Sequence, residues 1–344
     1  MAQCVDTLVG MQWGSEGKGK IVAYIGNEYG ACVRSGGSQA GHTFYYEGQK
    51  FINRQVPCAV VSPSCRLYLA PNAVVDVDVL AREVKAWNLD ERLKVDRRAV
   101  VVQNAHVNSE KHLALDARIG STLQGVGAAL ACKVLCQAEL FGEYAQRTGH
   151  LKNLGADVAF ELHELMLSGI NILLEGSQGF GLSLNFGSYP FVTGRDVTSA
   201  ALLSDAGIPP KYHRTCIGVM RTYPIRTGGN SGSTDSLELS WAEIAVRSKS
   251  SAPVEEYTSV TKRLRRVFEQ NWDILQKSVA INGIDGVALT FLDYINHEDY
   301  GKNSFRSLSP QSREYVARVE HTLNVPVWFV STGPLHEHLI DLRG

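Results

Sequence analysis

Lys18 stands among three glycines, Gly14, Gly17 and Gly19, directly after an apolar stretch at 5–11. A buried strand that stops at a glycine-rich turn and continues as a helix is one way to build a phosphate cradle. Backbone N–H groups and the positive end of the helix dipole face the anion there, and a lysine adds charge. Glycine lets the chain come close to a phosphate. The general pattern G-x-x-x-x-G-K-[ST] is met only in part: Gln12 sits where its first glycine belongs, and Gly19 sits where its Mg²⁺-binding hydroxyl belongs. The bland alternative is a glycine-rich turn with a solvated lysine.

Four further clusters could do chemistry. His42 follows Gly41 in the small-residue loop GGSQAGHT; a structural histidine is the plain alternative. The segment 173–193, LLEGSQGFGLSLNFGSYPFVT, begins as a strand and places Glu175, Gln178 and Thr193 at or beyond its end, unless it is an ordinary connection. The segment 256–267, EYTSVTKRLRRV, gathers Lys262, Arg263, Arg265 and Arg266 beside Thr258, Ser259 and Thr261. Such a run is commonly a solvated helix end, yet arginine forks beside hydroxyls also suit a small dicarboxylate. Finally GVALTFLD, 286–293, is a strand ending in an acid.

Two of these stretches, QWGSEGKGK at 12–20 and RSGGSQAGHT at 34–43, resemble the QWGxEGKGK and RxGGxxAGHT motifs of the adenylosuccinate synthetase family. The resemblance continues along the chain to STGP at 331–334. It implies a ligase that joins L-aspartate to the 6-position of a purine nucleotide, driven by a nucleoside triphosphate, with Mg²⁺ as cofactor and a homodimer as its form. It places the triphosphate on Gly14, Ser15, Glu16, Gly17, Lys18, Gly19, Gly41, His42 and Thr43, with Phe291, Asp293, Ser331, Gly333 and Pro334 around its base. His42 and Lys18 meet charge on the transferring phosphoryl group, and Ser15 and the Gly41 carbonyl mark the metal position. The purine monophosphate falls to Gln39, Ser121, Thr122, Gln178, Thr193 and Arg226, and aspartate to Thr258, Ser259, Val260, Thr261, Arg263 and Arg265.

The chain departs from that family at chosen points. Ser15 replaces the Asp of QWGDEGKGK, which serves there both as the base at purine N1 and as a metal ligand. A serine hydroxyl is a poor base and a neutral ligand. The smaller side chain leaves room for an amino group at C2, so the substrate becomes a guanine nucleotide. This is similar to the phage-type 2-aminoadenylosuccinate synthetases, which act on dGMP and imply ATP or dATP as donor. Glu16, or a water on the metal, then takes the N1 proton. The family's T-K-x-D reads Thr290-Phe291-Leu292-Asp293. Cys136 occupies the place of the arginine that the partner subunit contributes, with Lys133 or Arg147 as substitutes, and the sugar 2′-position is read near Arg226-Thr227-Gly228. Two other readings remain: an ordinary synthetase using IMP and GTP, and an inactive nucleotide-binding switch protein.

These motifs need a scaffold. Strand-like runs at 5–11, 99–103, 170–174, 216–220, 286–292 and 325–330 alternate with amphipathic stretches. Leu264, Val267, Phe268 and Leu275 mark one helix face; Tyr315, Val319 and Leu323 mark another, opened by Ser309-Pro310. Segments 44–46 and 51–53, joined through Glu47-Gly48, read as a hairpin. The pattern predicts an α/β fold with a mostly parallel sheet covered by helices, as one domain over 1–344 with insertions. Net charge of −1 offers no basic field for nucleic acid, and the first apolar run reads as a core strand, neither a signal peptide nor a membrane span. Seven cysteines without metal spacing suggest reduced, mostly buried thiols in the cytoplasm, with Cys132 and Cys136 one helical turn apart.

Overall fold

The computed structural model describes residues 3–252, 254–258 and 262–344. Its centre is a ten-stranded sheet. In chain order the strands are β1 (Val5–Gly10), β2 (Ala31–Arg34), β3 (Arg66–Leu69), β4 (Leu93–Asp96), β5 (Gly155–Ala156), β6 (Ile172–Glu175), β7 (His213–Arg221), β8 (Gly286–Thr290), β9 (Val327–Ser331) and β10 (Leu339–Asp341). Their spatial order is β10-β9-β8-β7-β1-β6-β2-β3-β4-β5, and every neighbouring pair is parallel except β9 with the edge strand β10.

Alternation along each strand divides the core between the two faces. Val5 and Val9 of β1, Ile172 and Leu174 of β6, and Val287 and Leu289 of β8 join one hydrophobic cluster. Leu8, Leu173 and Ala288 join the other. Both faces are buried, so the strands read as continuous apolar runs. The carboxyl ends of β2, β6, β7, β8 and β9 carry Arg34, Glu175, Arg221, Thr290 and Ser331. In an open parallel sheet this is the edge where ligands bind. Among the described residues no helix is long and apolar enough to cross a membrane.

The hairpin forms as His42–Tyr46 with Gln49–Asn53, and the helix Pro310–Leu323 starts at Ser309, whose Oγ accepts the Ser312 N–H. Three expectations need correction. The run 99–103 contributes only Val100–Val101, which pairs with Val74–Val75 outside the main sheet. Its place is taken by short strands β2 to β5, too brief to show a period. Leu264 to Leu275 is not one helix face: Arg266–Phe268 is a strand between Ile225–Arg226 and Glu238–Leu239, and the helix Trp272–Asn282 begins only after Asn271 caps the Ile274 N–H. Cys136 lies beyond the end of the helix Val126–Val134, with a positive φ of 57°, so it is not on a helix face with Cys132. All seven thiols are free and five are buried.

Candidate active site

The loop after β1 turns into the helix Lys18–Ile25 through Gly17, whose left-handed φ of 89° only glycine adopts without strain. Lys18 and Glu16 are both buried, and Lys18 Nζ donates to Glu16 Oε2 at 2.5 Å. Glu16 Oε1 accepts the N–H groups of Gly14 at 2.7 Å and Gln12 at 3.3 Å. The carboxylate lies under the loop, in space left by two glycines. A Cβ on Gly10 would come within 2.7 Å of Glu16 Oε2, and one on Gly179 within 2.2 Å of Oε1. Ser15, at φ 59°, is left partly exposed on the cleft side.

The hairpin brings His42 across to β6. His42 Nδ1 and Glu175 Oε1 meet at 2.5 Å, and Glu175 Oε2 accepts the Cys58 N–H at 2.7 Å. Burial pushes Glu175 up, but Arg34, 3.8 Å away, and His42 outweigh it and hold the carboxyl down at about 2. Burial, then the charge of Arg34, lowers His42 to about 4 against the pull of Glu175. At neutral pH the pair is therefore a neutral imidazole donating from Nδ1 to a carboxylate. Ligand atoms of His42, Cys58 and Glu175 lie within 4.8 Å of one another. Burial raises the Cys58 thiol well above its ordinary range, which keeps it protonated, and hydrogen bonds already use both carboxylate oxygens. The trio is thus a support for the imidazole and a poor metal centre.

One cleft of about 1180 Å³ takes in the loop after β1 and His42. A pocket for one small ligand is usually on the order of 300–1,000 Å³, so there is room for more than one. Gly14 to Gly19, Gly41, His42, Thr43, Gln39, Ser121, Thr122, Gln178, Thr193 and Arg226 line it. So do Thr258, Arg265, Phe291, Asp293, Ser331, Gly333 and Pro334. Arg265 lines the cleft together with Lys262, which was not among the expected contacts, while the main-chain N–H of Arg263 donates to Thr258 Oγ1 at 2.9 Å. Ser259, Val260 and Thr261 lie outside the described residues.

Several of these groups are buried with polar atoms to spare. Gln178 Nε2 and Oε1, Gln39 Oε1, Arg226 Nη1 and Asp293 Oδ1 have no partner among the described residues. Arg226 spends its other terminal nitrogen on the carbonyls of Phe191 and Ser231. Burial pushes Asp293 up to about 7 and Lys20 down to about 7. Lys20 Nζ donates to Ser331 Oγ at 2.7 Å and to the carbonyls of Gly333 and His338 at 2.7 and 3.1 Å, which shapes the 331–334 turn.

Sequence reasoning missed Glu175 as the partner of His42, and missed Arg34, Lys20, Arg221 and Glu256 altogether. Arg34 had a signal, since it opens the RSGGSQAGHT stretch. So did Lys20, which closes QWGSEGKGK, and Glu256, which opens EYTSVTKRLRRV; Arg221 lies in no such stretch and is brought to them by the sheet. Lys133 and Arg147 are both engaged within the chain, Lys133 with the carbonyls of Pro71 and Arg98, Arg147 with Glu139.

The chain is similar to known proteins along its length. The family model described as adenylosuccinate synthetase matches residues 7–139 and 135–300. Adenylosuccinate synthetase of Archaeoglobus fulgidus is 34% identical over 340 residues, covering 98% of this chain and 97% of the relative. That of Methanocaldococcus jannaschii is 35% identical over 345 residues, covering 98% and 96%. Fully ligated adenylosuccinate synthetase from Plasmodium falciparum shares the fold, with a TM-score of 0.88 at 22% identity, over 99% of this chain and all of that one (100%). The succinoaminodeoxyadenylate synthetase of cyanophage S-2L, solved with dGMP and with dATP as an energy donor, superposes with a TM-score of 0.84 at 30% identity, covering 99% of this chain and 96% of its own.

Proposed function

The chain belongs to the adenylosuccinate synthetase family and is a ligase that forms carbon–nitrogen bonds, and from that premise we propose that it joins L-aspartate to the 6-position of dGMP, with ATP or dATP as donor. Ser15 carries this reading. The loop presents a small neutral side chain to the cleft where the family motif has a carboxylate, and the neighbouring carboxylate, Glu16, is tied under the loop. A guanine amino group at C2 fits beside a hydroxyl better than a hypoxanthine ring fits there without a base. The cyanophage protein bound to dGMP and dATP supports the same choice.

In this reading purine N1 gives its proton to water in the cleft as the 6-oxygen attacks the γ-phosphorus, the bond to the β-phosphate oxygen breaks and the nucleoside diphosphate leaves. The amine of aspartate then adds at C6 and inorganic phosphate departs. The loop amides and Lys18 hold the phosphates, and a phosphate arriving there competes with Glu16 for the ammonium. His42, oriented by Glu175, faces the transferring group; an anion beside the ring draws it toward the imidazolium and stabilises developing charge. Glu16 acts by holding the loop and Lys18. As the base at N1 it would first have to release two amides and a lysine. Gln39, Ser121, Thr122, Gln178, Thr193 and Arg226 take the deoxynucleotide, with the free polar atoms of Gln178 and Arg226 as its strongest anchors. Thr258 and Arg265 take the aspartate carboxylates, and Phe291, Asp293, Ser331, Gly333 and Pro334 the donor base.

Mg²⁺ belongs to this reading. It takes hard oxygen ligands and prefers phosphate and water to a full protein cage. The Ser15 hydroxyl and the Gly41 carbonyl, both on the cleft wall, offer two neutral oxygens. That set fits an ion held mainly by phosphate. When bound, the ion would offset charge on the γ-phosphate. The homodimer is part of the same reading: Val134 and Leu135 stand 82% and 66% exposed beside Cys136, an apolar patch that a partner would cover. The reading treats 1–344 as one unit, with the two core clusters on a single sheet as support.

The name carried by the archaeal relatives favours a second reading, IMP with GTP. Phosphate release with aspartate and Mg²⁺ separates the two, with dGMP, GMP and IMP run side by side on ATP and on GTP. The proposal expects turnover with dGMP and little with IMP. Turnover confined to IMP would return the chain to ordinary purine synthesis, and no aspartate-dependent release at all would remove the ligase reading.

A further inference from the structure

Arg221 ends β7 and is wholly buried, one of the largest side chains to be so. An arginine in that setting needs partners for its charge. Its main chain is clamped first: its N–H donates to Gln12 Oε1 at 2.9 Å, and its carbonyl accepts Gln12 Nε2 at 2.9 Å and Gln270 Nε2 at 3.0 Å. The guanidinium then reaches three parts of the cleft. One terminal nitrogen donates to the Ser15 carbonyl at 3.3 Å, and both bind the Glu256 carboxylate. Its Cζ lies 3.9 Å from the centre of the Phe291 ring. Ser15 and Phe291 are both non-glycine residues at positive φ, 59° and 58°, a conformation that needs support from its surroundings.

Glu256 has a second arginine. Arg265 Nη1 donates to its Oε2 at 2.6 Å, while Arg265 Nε, buried, has no partner among the described residues. The carboxylate is thus shared. Arg221 binds both its oxygens, and Arg265 reaches it with one corner only. The unpartnered Nε edge of Arg265 is the side of the guanidinium that accepts a carboxylate as a two-pronged fork.

We propose that Arg221 is a positioning residue for the amino-acid substrate: by pinning Glu256 it keeps the Nε edge of Arg265 open for an incoming carboxylate. Without Arg221 the Glu256 carboxylate turns fully onto Arg265, closes that edge and cancels the charge that draws a dicarboxylate. The same guanidinium supports the Ser15 turn and the Phe291 ring, so the nucleotide end and the amino-acid end of the cleft share one side chain. This inference rests on the aspartate reading of Arg265 given above.

The test compares the full chain with Arg221→Met, Glu256→Gln and the double variant, measuring KM for aspartate, kcat and the dissociation constant for ATP. The expected pattern is a rise of about tenfold or more in the aspartate KM for Arg221→Met, larger than the accompanying rise in the ATP dissociation constant, which reads the lost contacts with Ser15 and Phe291. Adding Glu256→Gln to it should bring the aspartate KM back to within about threefold of the parent, because no carboxylate remains to occupy Arg265. A role in packing alone would not be rescued by a second substitution. An aspartate KM unmoved by Arg221→Met, or one that Glu256→Gln fails to restore, overturns the proposal. If Arg221→Met does not fold, Glu256→Gln alone decides: an aspartate KM no higher than the parent's supports the proposal, and a rise overturns it. A parent chain without aspartate-dependent turnover instead removes the ligase reading, and this inference with it.

Discussion

His42 and Glu175 are 133 residues apart in the chain and 2.5 Å apart in the fold, Nδ1 to Oε1. The contact exists because the hairpin that starts at His42 folds over the carboxyl end of β6. It fixes the ring's tautomer and its direction, which the surrounding charges then reinforce. Glu175→Gln keeps the shape but loses the carboxylate. Turnover is expected to fall about 100-fold, with the KM for ATP within about threefold, since a charge-stabilising group is misdirected while ground-state contacts persist. Single-turnover kinetics read this. An unchanged kcat would show that the Glu175 carboxylate does not serve the imidazole.

Glu16 offers a cleaner choice between two roles. Held by two loop amides and Lys18, it should behave as a staple. Glu16→Gln breaks a buried ion pair, a change that costs about 3–5 kcal/mol. The expected result is a melting temperature lower by on the order of 5 °C and a raised KM for ATP, with the shape of the pH–rate profile kept. A variant that melts like the parent but loses the acid limb of its profile would assign Glu16 to the N1 proton instead.

The loops that line the cleft were legible because the chain writes them contiguously: Gly14 to Gly19, Gly41 to Thr43 and 331–334 each occupy one turn, and local sequence dictates local backbone. The sheet was legible where both faces are buried, as in β1, β7 and β8. Residues that act through distant partners were not. Arg34, Glu175 and Cys58 come from three elements, and Lys20 shapes a turn more than 300 residues away (|i−j| of 311 to Ser331). Arg263 and Lys262 could not be told apart by spacing, because the loop bends at Lys262 with φ 53° and places the neighbour of the expected residue on the wall. The segment 264–268 matched a helical period by coincidence, since two apolar residues followed by a polar cap satisfy both periods over so short a run.

Asp293 predicts a pH dependence. Burial raises its carboxyl to about 7, opposed by Lys20 and Arg221 and assisted by Glu256; burial likewise lowers Lys20, which also faces Glu337, to about 7. A carboxyl whose pKa is higher in the folded chain than in the unfolded one binds more protons when folded. Its contribution to stability is therefore intact below about pH 4 and is lost as pH rises toward 7. Asp293→Asn removes that loss. The variant should melt about 2 °C or more above the parent at pH 8 and match it at about pH 4. A constant difference across the range would mean that Asp293 does not titrate there. Lys20 acts with the opposite slope, its contribution returning as pH rises from about 7 toward 10, so the comparison belongs below pH 8.

Ser15 sits at φ 59° with its carbonyl bound by Arg221 and its side chain on the cleft wall. Aspartate tolerates the left-handed region better than most residues, so Ser15→Asp can be made without breaking the turn. The new carboxylate would restore a base at N1 and fill the space reserved for an amino group at C2. The ratio of kcat/KM for dGMP to that for IMP is expected to fall by about 100-fold, a difference of roughly 2.7 kcal/mol between the two transition states. Both terms should move, dGMP down through crowding and IMP up through the base. A variant that loses both activities in proportion would show that position 15 serves the phosphates alone, and an unchanged ratio would show that the purine 2-position is read elsewhere, with the free amide of Gln178 the next group to substitute.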